Sequence, residues 1–141
     1  MREPLEVLCH NDFAPYNLVY RDGLALGVID FDFASPGSRL WDLAYLVYRL
    51  APLTTDRADG FRDDERLARL DRVVAAYGGS YAREDVLAMV VARLEHLAEF
   101  SDEKAVELAN PDLHGHAELY RADIGLVEAL RDAATPGASP R

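Results

Sequence analysis

His10-Asn11-Asp12-Phe13-Ala14-Pro15-Tyr16-Asn17 and Ile29-Asp30-Phe31-Asp32 are two polar clusters joined by a short apolar stretch, and their reading decides the fold. Residues 5–9, Leu-Glu-Val-Leu-Cys, are short and apolar, which predicts a buried strand leading into the first cluster. Asn11 and Pro15 oppose regular structure, so residues 10–17 form a loop. Leu18 to Arg21 reads as a strand, Asp22-Gly23 as a tight turn, and residues 24–30 as the returning partner. Such a hairpin carries Asp30 back beside Asn17, the arrangement two ligands of one metal ion require.

Outward from there the pattern turns helical. Residues 33–38 read as a loop. From Leu40 to Leu50 nearly every side chain is apolar or aromatic, so this helix is expected to be buried on most sides, with Pro52 ending it. Residues 53–63 are a polar connector. Leu67, Leu70, Val74 and Tyr77 form a helical stripe closed by Gly78-Gly79, and Leu87, Val90, Val91, Leu94 and Ala98 form another. Ser101 is placed to cap a short further helix running to Asn110-Pro111. A last helix covers residues 117–131, and residues 133–141 read as a flexible tail. The expected class is α+β, mainly α: a short hairpin packed on about four or five helices. Residues 1–132 form one unit without internal repeats.

The chain has 141 residues, half of them hydrophobic, enough for one folded domain. Its net charge of −10 argues against nucleic acid, which needs clustered Lys and Arg. An acidic surface suits a cationic partner and equally serves solubility, the commoner use. No run of apolar residues is long enough for a membrane helix, and no apolar signal region follows Met1-Arg2. The lone Cys9 forms no internal disulfide, which fits a reducing cytoplasm, and it reads as a small buried residue.

The Asp-x-x-x-x-Asn spacing of Asp12 and Asn17, followed by Asp30-Phe31, resembles the phosphotransferase family of aminoglycoside and choline kinases. That family writes its loop His-Gly-Asp-x-x-x-x-Asn and its metal motif Asp-Phe-Gly; here Asn11 and Asp32 replace the two glycines. The resemblance is specific over residues 7–46. It implies a protein kinase-like C-terminal lobe, with catalytic loop 10–17, metal motif 30–32 and helical part 40–132. The implied activity is ATP-dependent phosphoryl transfer to a small-molecule hydroxyl, aminoglycoside-like or amino-alcohol. Asp12 is then the general base that accepts the hydroxyl proton, and Asn17 and Asp30 are the Mg2+ ligands, since Mg2+ favours a few hard oxygen donors. Asp32 is an auxiliary carboxylate. His10, by the same resemblance, holds the loop's shape. Asp42, in Trp41-Asp42-Leu43-Ala44, resembles a supporting carboxylate that accepts backbone N–H bonds.

Other features are weaker. Asp112-Leu-His114-Gly-His116 lacks a third metal ligand at a defined position and reads as a polar helix start. Glu95, Glu99, Asp102, Glu103 and Glu107 read as a solvated face; the sharper reading makes Glu95 and Glu99 an acidic wall for an amino-bearing acceptor. These residues contain no Gly-rich phosphate loop, and Lys104 is the only lysine. Two readings follow: the catalytic-lobe part of a phosphotransferase, inactive without a nucleotide-binding lobe, or a binding and regulatory remnant. The crowded apolar surface of the 40–50 helix is expected to need a partner, through self-association or a complementing chain.

Overall fold

The computed structural model describes residues 3–134; residues 1–2 and 135–141 lie outside the described set. The elements run β1 (Val7–Cys9), a 3-10 turn (Pro15–Asn17), β2 (Leu18–Arg21), β3 (Leu24–Val28), β4 (Ser35–Gly37), α1 (Arg39–Leu50), α2 (Asp63–Tyr77), α3 (Arg83–Glu107) and α4 (Asp112–Ala134). The fold is α+β and mainly helical, as the sequence predicts.

β2 and β3 form the expected hairpin, in register from Leu18↔Val28 to Arg21↔Leu24 with a bulge at Val19/Tyr20. Its turn places both Asp22 (φ 53°) and Gly23 (φ 79°) in the left-handed region, which Asp tolerates and Gly adopts freely. The strand at 35–37 departs from the expected loop. Ser35-Pro36-Gly37 has no strand composition, but it pairs antiparallel with β1, Val7↔Gly37 to Cys9↔Ser35. Glu6 N–H extends the ladder to the Gly37 carbonyl at 3.0 Å. Tertiary pairing overrides weak local propensity here.

Ser38 caps α1 through a hydrogen bond from Trp41 N–H (3.1 Å). Its C-terminal end is satisfied from α2: Arg69 donates to the Leu50 carbonyl (3.0 Å) and Arg66 to that of Pro52. Cations at the carbonyl end of a helix offset its dipole. α2 closes on Gly78 at φ 83°, as the sequence predicts. The predicted break at Ser101 is overturned. α3 runs unbroken from Arg83 to Glu107 with Ser101 buried inside it, because its buried stripe continues from Ala98 through Ser101 to Ala105. Nothing between residues 84 and 108 is a Gly or Pro that would stop it. The chain turns at Ala109 (φ 48°), and α4 returns against α3 as a helical hairpin. α4 begins at Asp112, ahead of the predicted 117, and includes residues 133–134 of the expected tail; the rest of that tail lies outside the described residues.

α1 is central, packed on α2, α3 and β1. Leu43, Ala44, Val47 and Tyr48 meet Leu70 and Val74 of α2, Leu87, Val90 and Leu94 of α3, and Val127 of α4. Burying each large side chain contributes about 1.5–3 kcal/mol, so this cluster dominates the fold's stability. The expectation that α1 would keep an open apolar face is therefore corrected: its own neighbours cover it, and Leu46 and Leu50 are half-buried beside Arg69, Val73 and Tyr77 of α2. The exposed apolar residues lie elsewhere. Val19, Tyr20, Leu24, Leu26, Val28 and Ile29 of the hairpin are all exposed, as are Phe31 and Phe33 beyond it. No helix among the described residues is long and apolar enough to cross a membrane.

Candidate active site

The loop between β1 and β2 is held from three sides. Asp42, in the first turn of α1, accepts the backbone N–H of His10 and of Asn11, both at 2.9 Å. His10 Nε2 lies 2.9 Å from the Ile29 carbonyl, while Nδ1 accepts Asp12 N–H at 3.2 Å. One ring nitrogen donates and the other accepts, which defines the Nε2–H tautomer. His10 is buried, and its ring lies 4.6 Å from that of Phe31. It thus ties the loop before Asp12 to the end of β3.

Asn11 has φ 66°, a left-handed conformation that Gly or Asn adopts more readily than other residues. This explains physically how Asn stands where the loop pattern has Gly. Its amide also donates to the Phe33 carbonyl (2.7 Å) and Ser35 Oγ (2.9 Å), while its side-chain oxygen accepts Trp41 Nε1–H (3.1 Å). Arg93 of α3, buried, donates to the Asn11 carbonyl and stacks over Trp41 (4.7 Å) and Tyr45 (5.1 Å).

Asp12 sits at the centre with both carboxylate oxygens engaged. Tyr16 donates its hydroxyl to Oδ1 (2.5 Å), and Asn17 Nδ2 donates to Oδ2 (2.9 Å) and to the Asp12 carbonyl (2.9 Å). The hydroxyl of Tyr45 lies 3.0 Å from that of Tyr16; with the Tyr16 proton committed to Asp12, Tyr45 is the donor there. Partial desolvation, then the hydrogen bond to Asp12, push the Tyr16 phenol well above its ordinary range, although the residue as a whole is exposed. Burial likewise raises Tyr45 and Tyr120. These phenols remain protonated donors.

Asn17 is buried, and with its amide nitrogen committed to Asp12 its carbonyl oxygen points elsewhere. Ile29 N–H donates to the Asn17 backbone carbonyl (3.0 Å), which brings the start of the second cluster alongside the first. Asp30 follows at φ 64°, exposed, and Asp32 is exposed as well. Among the described residues no group of three or more His, Cys, Asp or Glu side chains gathers as a metal site. A Mg2+ site of this kind needs only one or two carboxylates plus substrate oxygens, and the oriented Asn17 carbonyl with an exposed Asp30 carboxylate fits that sparse donor set.

Asp12 opens into a cavity of about 440 Å³. Tyr16 and Tyr45 stand beside it; Arg93, His96, Leu97 and Phe100 of α3 form one wall, and Leu113, His116 and Tyr120 of α4 the other. Glu95 and Glu99 are exposed and do not line it. Asp102 instead accepts from Arg121 and pairs with His114 (2.7 Å), which hold its carboxyl below the usual range and join α3 to α4.

The sequence reading missed Tyr16, Tyr45 and Arg93. Arg93 left a signal: a charge between Val91 and Leu94 on a buried stripe must find partners. Tyr16 and Tyr45 left none, since only the fold brings the two hydroxyls together.

Residues 2–88, more than half of the chain, match the phosphotransferase enzyme family. The chain belongs to that family. This agrees with the aminoglycoside and choline kinase resemblance of the loop. No curated protein and no solved structure matches the chain significantly. The phosphotransferase match takes in the loop, the hairpin, α1 and α2 and stops early in α3. The α3 and α4 walls of the cavity lie almost wholly beyond it.

Proposed function

We propose that this chain supplies the acceptor and metal side of an ATP-dependent small-molecule phosphotransferase. The observation that carries the reading is the Asp12 carboxylate, fixed by Tyr16 and Asn17 and facing the cavity. Phosphoryl transfer needs an oriented hydroxyl and stabilised charge more than covalent chemistry. Asp12 takes the proton of an acceptor hydroxyl as its oxygen attacks the terminal phosphorus. Each engaged carboxylate oxygen keeps a lone pair for that proton, and the two donors hold its direction.

Asn17 and Asp30 hold Mg2+, with Asp32 as an auxiliary carboxylate nearby. When bound, the ion neutralises phosphate charge. His10 and Asp42 act through the loop's shape. The remaining nucleotide contacts come from a further layer, either a complementing lobe or a second copy. The exposed apolar hairpin supports this, because patches of that kind mark interfaces. The setting is cytoplasmic, and the acceptor is a small-molecule alcohol.

Two substitutions in the complete enzyme test the assignment. Asp12→Asn lowers kcat by about 10²–10⁴ with nucleotide affinity retained, because proton acceptance is lost and the metal ligands remain. Asp30→Ala weakens Mg2+–nucleotide binding as well as turnover. Near-normal kcat for Asp12→Asn returns Asp12 to a purely structural role.

A further inference from the structure

We infer that the acceptor seated beside Asp12 is an uncharged, ring-bearing alcohol and not an amine. The inference rests on the phosphotransferase reading of the site and sharpens its substrate class.

Charge decides it. Asp12 is the only acidic residue lining the cavity among the described residues, and its two oxygens already accept from Tyr16 and Asn17. The carboxylates that could have served a cation are spent or face away: Asp102 is committed to Arg121 and His114, and Glu95 and Glu99 lie outside the lining. Arg93 supplies a fixed positive charge in the wall, so with imidazoles neutral the lining sums to zero. A polyamine would bring several ammonium groups to a site offering one carboxylate, already balanced by Arg93.

A single quaternary ammonium could in principle use aromatic faces instead. Here three of the lining's five Phe and Tyr rings already carry the chain's own cations. Arg93 lies 5.1 Å from the Tyr45 ring centre, Arg49 lies 5.4 Å from that of Tyr16, and Lys104 lies 5.8 Å from that of Phe100. A ligand cation beside those rings would meet like charge at short range. The cavity still offers apolar surface from Leu97, Leu113 and Phe100, with Phe33 edge-on to Phe100 at 6.4 Å. Ser101, His116 and Tyr120 can hydrogen-bond further hydroxyls. That combination suits a flat or alicyclic ring with an apolar face and neutral polar edges.

Binding to the full chain, without ATP, tests this. Phenyl β-D-glucoside, kanamycin and choline are titrated separately and followed by amide NMR shifts. The neutral glycoside perturbs residues around Phe100 and Tyr120 and binds about tenfold or more tighter than either cation. Phe100→Ala weakens it by about tenfold, the loss of one ring contact. Phe100 is partly exposed, so this variant keeps the fold. Tighter binding of kanamycin or choline at the cavity overturns the inference, as does failure of the glycoside to bind at millimolar concentration. The two readings fail separately. Phosphoryl transfer to an amine acceptor leaves the phosphotransferase standing and removes this class. Glycoside binding at the cavity by a protein that transfers no phosphoryl group from ATP to any acceptor does the reverse.

Discussion

Replacing Asp42 tests how the catalytic loop is held. Its carboxylate accepts two backbone N–H groups, of His10 and Asn11, each at 2.9 Å and each partly buried. A hydrogen bond to a charged group contributes about 1.5–3 kcal/mol net, and partial burial argues for the lower end. Asp42→Ala removes both acceptors and strands both donors, so a loss of about 3 kcal/mol is expected. Asp42→Asn keeps one acceptor oxygen and turns an NH2 group against the other donor, for a loss of about 1.5 kcal/mol. The larger loss is a substantial share of the 5–15 kcal/mol or so available to a domain, and about 10 °C in Tm. Urea unfolding followed by circular dichroism and by fluorescence of Trp41, the only tryptophan, measures it. Amide NMR shifts of His10 and Asn11 locate the damage in the loop. A loss below about 0.5 kcal/mol for Asp42→Ala, at unchanged m-value, would refute the claim that this carboxylate holds the loop.

Three further outcomes follow from the same contacts. Asn11→Gly suits the left-handed backbone but loses the side-chain bonds to Phe33, Ser35 and Trp41, so it destabilises by about 1–2 kcal/mol in urea unfolding; a gain in stability counts against that network. Asp123, fully buried, accepts from Tyr48 (2.7 Å) and from both the N–H (2.6 Å) and hydroxyl (2.8 Å) of Thr55, and Asp123→Ala should cost about 3–5 kcal/mol by the same assay. Burial raises Tyr16, Tyr45, Tyr48 and Tyr120, so the stability linked to their neutral forms is complete below the unfolded phenol value of about 10 and is lost as pH climbs beyond it. Urea midpoints measured from neutral to strongly alkaline pH should fall above that point, and a flat profile contradicts the burial of these hydroxyls.

The hairpin, its turn, α1 and the stripes of α2 and α3 were legible because each rests on local chemistry: Asp22-Gly23, Gly78, and apolar spacing. Three things were not. β4 exists only because β1 lies beside it, since Ser35-Pro36-Gly37 has no strand signature of its own. The single α3 hid behind Ser101, whose capping tendency yields when its neighbours at 98 and 105 are buried. The cover over α1 is not visible one helix at a time, because α2 and α3 clothe it together. Within the site, the loop and metal-motif residues were visible as a spacing. The Tyr16–Tyr45 contact and the reach of Arg93 to Asn11 depend on where whole elements lie, and no short window of sequence contains them.

That reach has a consequence for how the molecule forms. The α3–α4 hairpin joins neighbours in sequence and can close early, whereas the Arg93–Asn11 bond spans 82 residues and the Asp123–Tyr48 bond spans 75. Loop closure across such distances follows the assembly of local pieces. The amides around Asp12 are therefore expected to gain protection from hydrogen exchange late in refolding, after those of α3 and α4. A chain that has made its helices but not these two clasps has a nearly complete body and no working pocket.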